Sequence, residues 1–235
     1  MFMKDAMTLS ILAFDPKTGT LAGAAATGSL CVGGWVLRGD IDAGLVASQG
    51  TAPSTFWRDD CLRLLHSGEP VEKTVKEISY ADSGRANRQL LALDKVGGTS
   101  GFTGSQSVPF AAHRIEPNLA VAGNMLAGPE VLDALQSTFI GTSAPAADKL
   151  IAALRAADLA GGDSRGLMSA ALLVLSPDAP PVDLRIDLSS SPIQDLEALL
   201  SQTRIPPYVD WLDEVPIKND RQRATVEANE IRTAK

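Results

Sequence analysis

Apolar positions run almost unbroken through residues 8–14 (TLSILAF) and again through 21–27 (LAGAAAT). Between them lies Asp15-Pro16-Lys17-Thr18-Gly19, a turn in which Pro16 fixes φ and Gly19 supplies a positive one, so the chain predicts an N-terminal hairpin. The second strand is built from small side chains, which lets another layer or a ligand come close to its backbone. A third strand is predicted over 44–50. The spacing then becomes helical, with Trp57, Cys61, Leu64 and Leu65 on one face of 54–67, Gly68 as the stop, and a further helix from Pro70 that buries Val71, Val75 and Ile78. Strand-like runs return at 89–94, 99–103 and 118–122, and a second helix pair follows, opened by Pro129 and Pro145 and ended by Gly161. The apolar run 168–176 predicts a central strand. Val182, Leu184, Ile186 and Leu188 alternate with Asp183, Arg185 and Asp187, the pattern of a half-exposed strand. Ser191 and Gln194 fit a capping box for a helix through Leu200. Grouped strands with paired helices, rather than strict βαβ alternation, predict a layered α+β sandwich.

Composition narrows this further. At 235 residues a single large core is the default, with 1–7 as an extension, 8–203 as the domain and 204–235 as a Pro-containing tail. Tyr208, Trp211 and Leu212 in that tail, with Trp57, suggest docking on a surface or a homodimer. The chain is 45% hydrophobic and 21% charged, and no stretch reaches the roughly 20 apolar residues of a membrane span. The opening MFMKDA has no apolar segment behind Lys4, so a cytoplasmic protein is expected. A net charge of −7, without any run of basic residues, makes nucleic acid a poor partner. Cys31 and Cys61 are far apart and have only His66 and His113 to join them, so they are read as ordinary buried thiols, with no metal and no organic cofactor expected.

Phosphate-loop, dinucleotide, zinc-protease and nucleophile-elbow motifs are absent. The Gly161–Gly166 segment fits either an anion nest or a plain helix-to-strand loop. Thr8 stands out because it follows Met7 at the start of the first strand, and methionine aminopeptidase can remove Met from a Met-Thr start. A free α-amine on Thr8, with a pKa near 7.7 to 8.0, would take the proton of its own hydroxyl, so that one residue supplies nucleophile and base. The plain alternative is a β-branched residue that favours a strand. Either Met7 is the true start or a peptide precedes Thr8 and must be removed.

Thr8-Leu9-Ser10-Ile11, Asp15 with Thr18-Gly19, Ala47-Ser48-Gln49, Arg88-Gln89, Gly123-Asn124-Met125-Leu126 and Ala160 through Gly166 together resemble an uncharacterised bacterial family. That family is labelled a domain of unknown function and grouped with the N-terminal-nucleophile (Ntn) hydrolases. The resemblance, from Thr8 to about Leu200, implies a four-layer αββα sandwich and a Thr8 nucleophile that attacks an amide carbonyl; it supplies no substrate, and the leading reading is an amidohydrolase acting on a small amide or peptide. The resemblance also implies oxyanion donors at Gly123 and Asn124, although Asn124 also fits a turn. Asp163 and Ser169 are similar in placement to the Asp and Ser that contact the nucleophile's amine in proteasome-type relatives. Arg165 either binds a substrate carboxylate or pairs with Asp163. Gln49 lines the pocket or is a buried, satisfied amide, Ser10 is a further substrate-side residue, and His113 is read as a partly exposed structural histidine. Two departures bear on the pocket: Phe102-Thr103-Gly104 replaces the His-Thr-Gly common in relatives, and Ser54-Thr55-Phe56-Trp57 replaces a Tyr-Gly stretch. No counterpart of the proteasomal Lys is present. The competing reading is a non-catalytic binding or assembly protein on the same scaffold, and acyl transfer to an amine would use the same Thr8.

Overall fold

A computed structural model of the chain describes residues 7–161 and 166–224. Strands β1 (Thr8–Asp15) and β2 (Thr20–Thr27) form the expected hairpin, Thr8 opposite Thr27 and Asp15 opposite Thr20. The Asp15 carboxylate ties the turn by accepting from the Lys17 N–H at 2.9 Å and the Thr18 hydroxyl at 3.0 Å, while Gly19 takes φ +68°. A short helix α1 (Val32–Trp35) and strand β3 (Leu37–Asp40) come next, neither of them signalled by periodicity. They lead into β4 (Gly44–Gln49), α2 (Thr55–His66), α3 (Val71–Ala81), β5 (Gln89–Asp94), β6 (Thr99–Thr103), β7 (Ala112–Glu116) and β8 (Leu119–Asn124). The chain closes with α4 (Glu130–Gly141), α5 (Ala146–Leu159), β9 (Ser169–Ser176), β10 (Ala179–Ile186), α6 (Pro192–Gln202) and α7 (Tyr208–Trp211).

Among the described residues the strands make two antiparallel sheets, a six-stranded one in the order β10-β9-β2-β1-β8-β7 and a four-stranded one in the order β3-β4-β5-β6. Alternation along β1 explains how they pack. Leu9, Ile11 and Ala13 point to one side, where they meet Leu132 and Leu135 of α4, Leu150 and Leu154 of α5, and Leu196 of α6. Leu12, on the other side, joins Ala25, Leu45, Leu91 and Leu173 in a core between the sheets. A third cluster, with Val46, Leu90 and Ala92 against Trp57, Cys61 and Val75, lies under α2 and α3. Thr8 and Ser10 share the Leu12 side of β1, so the first residue of the strand projects into the space between the sheets.

Several local expectations are corrected. On α2 the buried face carries Arg58 where the spacing suggested Leu64, which is half-buried, and on α3 Ile78 is likewise only half-buried. The capping box at α6 does not form: Ser191 makes no side-chain cap bond, and Ser189 supplies its hydroxyl both to the Ser191 N–H and to Asp195. Cys61 is sealed and burial pushes its thiol up to about 12, whereas Cys31 is only half-buried and adopts φ +59°. The tail docks as far as residue 224, with Arg204 clamped on Asp148 and with Lys218 and Arg221 both on Asp42. No described helix is long and apolar enough to cross a membrane, and no metal-binding cluster of His, Cys, Asp and Glu is found among the described residues.

Candidate functional site

Thr8 sits where three strands end together. Its register neighbours in the six-stranded sheet are Thr27 on β2 and Asn124 on β8, and Gln49 at the end of β4 faces it across the sheet interface. Thr8 is 8% exposed, and its hydroxyl lies 3.0 Å from that of Thr27. Counting protons fixes the direction of this contact. The Thr27 hydroxyl donates to the Met7 carbonyl at 2.6 Å, and a carbonyl only accepts, so the Thr8 hydroxyl is the donor to Thr27 Oγ1. The Met7 carbonyl takes a second bond from the Gly28 N–H at 3.1 Å, and Met7 itself is 1% exposed. The peptide oxygen directly before Thr8 is thus held by two donors inside the fold.

Two glutamines bridge the sheets beside it. Gln89 Nε2 donates to the carbonyls of Ala112 and Gly123, each at 3.0 Å, and reaches the Thr103 hydroxyl at 2.9 Å. Since those carbonyls only accept, the Gln89 amide has one admissible orientation, with Oε1 turned to Gln49. Gln49 must therefore present Nε2, at 2.7 Å from Gln89 Oε1 and 3.4 Å from the Thr8 carbonyl. Gln49 Oε1 is left buried without a partner, as are Ser10 Oγ and Asn124 Oδ1. Buried unpaired polar atoms are uncommon in folded proteins.

A hollow of about 370 Å³ opens beside Thr8, lined also by Thr27, Leu30, Trp35, Gln49 and Thr51. Among the described residues no titratable side chain lines it. The nearby Arg58 is buried and committed, donating to the Gly34 carbonyl at 2.6 Å and the Trp35 carbonyl at 3.3 Å, which pins α1 as one wall. Arg88 donates to the Ala52 carbonyl at 2.5 Å, holding the loop after β4 as another. A larger hollow of about 640 Å³, near Phe14, Phe139 and Lys149, lies at the opposite end of β1.

The fold therefore brings Thr8, Ser10, Gln49 and Asn124 together. Ser169 stands apart from the Thr8 hydroxyl: it donates to the Ser29 carbonyl at 2.7 Å and accepts from the Val32 N–H at 3.1 Å, which staples the 28–32 loop to β9. Gly123 lies inside β8, paired with Leu9 and Ala112, so its N–H points along the sheet, and its carbonyl serves Gln89. Asp163 and Arg165 lie outside the described residues. His113 is anchored through Nδ1 to the Thr103 hydroxyl at 2.8 Å, and burial lowers its pKa. Thr27 and Thr51 were not singled out from the sequence, and Gln89 was noted only within the Arg88-Gln89 motif, without a role. The one local signal was Thr27, the polar residue that closes a strand of small apolar ones.

The model of a family of unknown function, DUF1028, matches residues 8–196. The chain belongs to this family. Within the DUF1028 family, the crystal structure of protein SPO2555 from Silicibacter pomeroyi is 47% identical and superposes with a TM-score of 0.88, covering 93% of this chain and 99% of that one. The crystal structure of HslV from Trypanosoma brucei is 14% identical, with a TM-score of 0.45 over 72% of this chain and 99% of that one, a likeness too slight to argue from. No curated protein matches this DUF1028 member.

Proposed function

We propose that this protein is an Ntn-type amidohydrolase in a four-layer αββα sandwich, in which Thr8, once N-terminal, attacks the carbonyl of a small amide or peptide. The layered reading is supported by the three buried clusters, one under each helical layer and one between the sheets. The observation that carries the activity is the Thr8 hydroxyl: it heads a rigid central strand, points between the sheets, borders a hollow and already donates to a second hydroxyl.

In the proposed cycle the Thr8 α-amine takes the hydroxyl proton as Oγ1 bonds to the substrate carbonyl carbon, and then delivers it to the nitrogen as the C–N bond breaks. Water cleaves the resulting ester by the reverse proton traffic and releases the acid. Loss of Met7 would free the Thr27 proton to turn toward Thr8 Oγ1. The Asn124 amide, register-paired with Thr8, is the proposed oxyanion donor, with Asp163 and Arg165 retained as partners of the amine and the substrate. Because the Met7–Thr8 bond is buried, release must occur before folding or from within the fold.

The test is intact mass and N-terminal sequencing, followed by incubation with a β-lactone, whose ring opens on acylation so that its full mass is added. A Thr8-initiated chain labelled at Thr8, with Thr8→Ala unlabelled, is the expected result. A second reading, a binding or assembly protein, is favoured by the sealed state of Met7. Retention of Met7 in the mature protein supports it.

A further inference from the structure

Register partners on β1, β2, β9 and β10 make rows of side chains across the six-stranded sheet. One such row is Ile11, Ala24, Leu172 and Leu184, all buried under the helices. Two residues further along β1, on the same face, the row becomes Ala13, Ala22, Val174 and Val182. Its smaller side chains leave space above them, and the hollow of about 640 Å³ lies there, walled by Phe139 of α4 and Leu200 of α6. This groove is at the far end of β1, about 20 Å from Thr8. The charges at its rim are unequally committed. Arg204 is clamped on Asp148 by two bonds, at 2.9 and 2.6 Å. Asp15 is exposed and accepts from the Lys17 N–H and the Thr18 hydroxyl. Lys149 is half-buried, its ammonium 4.4 Å from the centre of the Phe139 ring, and among the described residues it makes no hydrogen bond and no ion pair. An ammonium has three donors, and a ring face engages it from one side only, so Lys149 keeps donors for an anion in the groove.

We infer that this groove binds an unbranched aliphatic carboxylate, with the carboxylate on Lys149 and the chain laid across the row toward Val182. The row spans three inter-strand spacings, about 14 Å, which fits an extended chain of about eight carbons. Burial of methylenes against Ala13, Ala22 and Val174 supplies the affinity, and Lys149 sets the sign of the head group. The site is separate from Thr8 and stands whether or not Thr8 is a nucleophile.

Octanoate, hexanoate and octylammonium are titrated into the ¹⁵N-labelled full chain, and backbone amide shifts give both the place of binding and the Kd. Octanoate should move the amides of Ala22, Ala147 and Val174, which line the groove, and leave those of Thr27 and Gly50, beside Thr8, in place. It should bind about tenfold more tightly than hexanoate, the worth of two buried methylenes. Octylammonium, with the same chain and the opposite charge, should bind about fivefold more weakly or less tightly still. In Lys149→Met octanoate should lose about fivefold, the worth of one partly exposed ion pair, and octylammonium should lose nothing. Val182→Phe, on the edge strand β10, fills the groove and should also weaken octanoate. The inference is overturned by the absence of saturable shifts, by shifts confined to Thr27 and Gly50, by equal binding of octanoate and octylammonium, or by an octanoate affinity unchanged in both variants. The comparisons of charge and chain length use the unaltered protein, so they decide the matter even where a variant does not fold.

Discussion

Replacing Gln89 by Met keeps most of the side-chain volume and removes the polar bridge between the two sheets. Four contacts disappear: the 2.7 Å bond from Gln49, the 2.9 Å bond to Thr103, and the 3.0 Å bonds to the Ala112 and Gly123 carbonyls. Gln89 has two amide hydrogens, so these amount to about three full hydrogen bonds, each worth about 1 kcal/mol net. Burying a thioether in place of an amide returns part of this, since Gln89 is fully buried. The expected loss is about 2–3 kcal/mol, which at a urea m-value of about 2–3 kcal/mol/M lowers the midpoint by about 1 M. Urea unfolding followed by far-UV circular dichroism measures it. In a double-mutant cycle with Gln49→Met, the shared bond should appear as a coupling of about 1 kcal/mol. A loss below about 0.5 kcal/mol, or strict additivity with Gln49→Met, would refute the bridge and with it the fixed orientation of Gln49.

Burial holds His113 below its ordinary imidazole value of 6.5, so the unfolded chain binds the extra proton more readily. The contribution is fully present above the unfolded value and is lost as pH falls from 6.5 through the folded one; the thermal midpoint should drop across that window, and less steeply in His113→Gln, equal slopes contradicting the claim. Gly50→Ala puts a Cβ 2.7 Å from the Asn87 carbonyl oxygen in a left-handed conformation, and should cost more than about 1 kcal/mol in the same urea assay, whereas a neutral result would show a pliable loop. Cys31 should react with a maleimide in the native protein while Cys61, fully buried with its thiol pushed up to about 12, reacts only on unfolding; mass spectrometry of the labelled peptides distinguishes them.

The elements legible in the sequence are those whose burial is periodic over many residues. The β1–β2 hairpin, the helices α2 to α5 and the buried strands β5 and β9 bury one face or both, and their apolar pattern declares it. Strands β3 and β7 are sheet edges, short and half-exposed, so LRGD and AHRIE carry no alternation. Helix α1 exists because Gly33 can lie against Ala171 and Arg185, and because Cys31 turns the chain at φ +59°. At the site, Thr8 and Asn124 were marked by position and resemblance. Gln89 and Thr27 act through partners 14 to 40 residues away, a relation that only the sheet topology creates. Ser169 was expected at the nucleophile for its place at the head of β9. It instead spends both of its bonds on the 28–32 loop.

The central claim is that Thr8 becomes a free N-terminal nucleophile beside the hollow. Its most direct measurement is peptide mapping, by tandem mass spectrometry, of the mature protein after β-lactone treatment. The account predicts a chain that begins at Thr8, with one acyl group esterified to the Thr8 hydroxyl and none on the Thr8→Ala protein. A chain that retains Met7, or one that begins at Thr8 and stays unlabelled there, contradicts it.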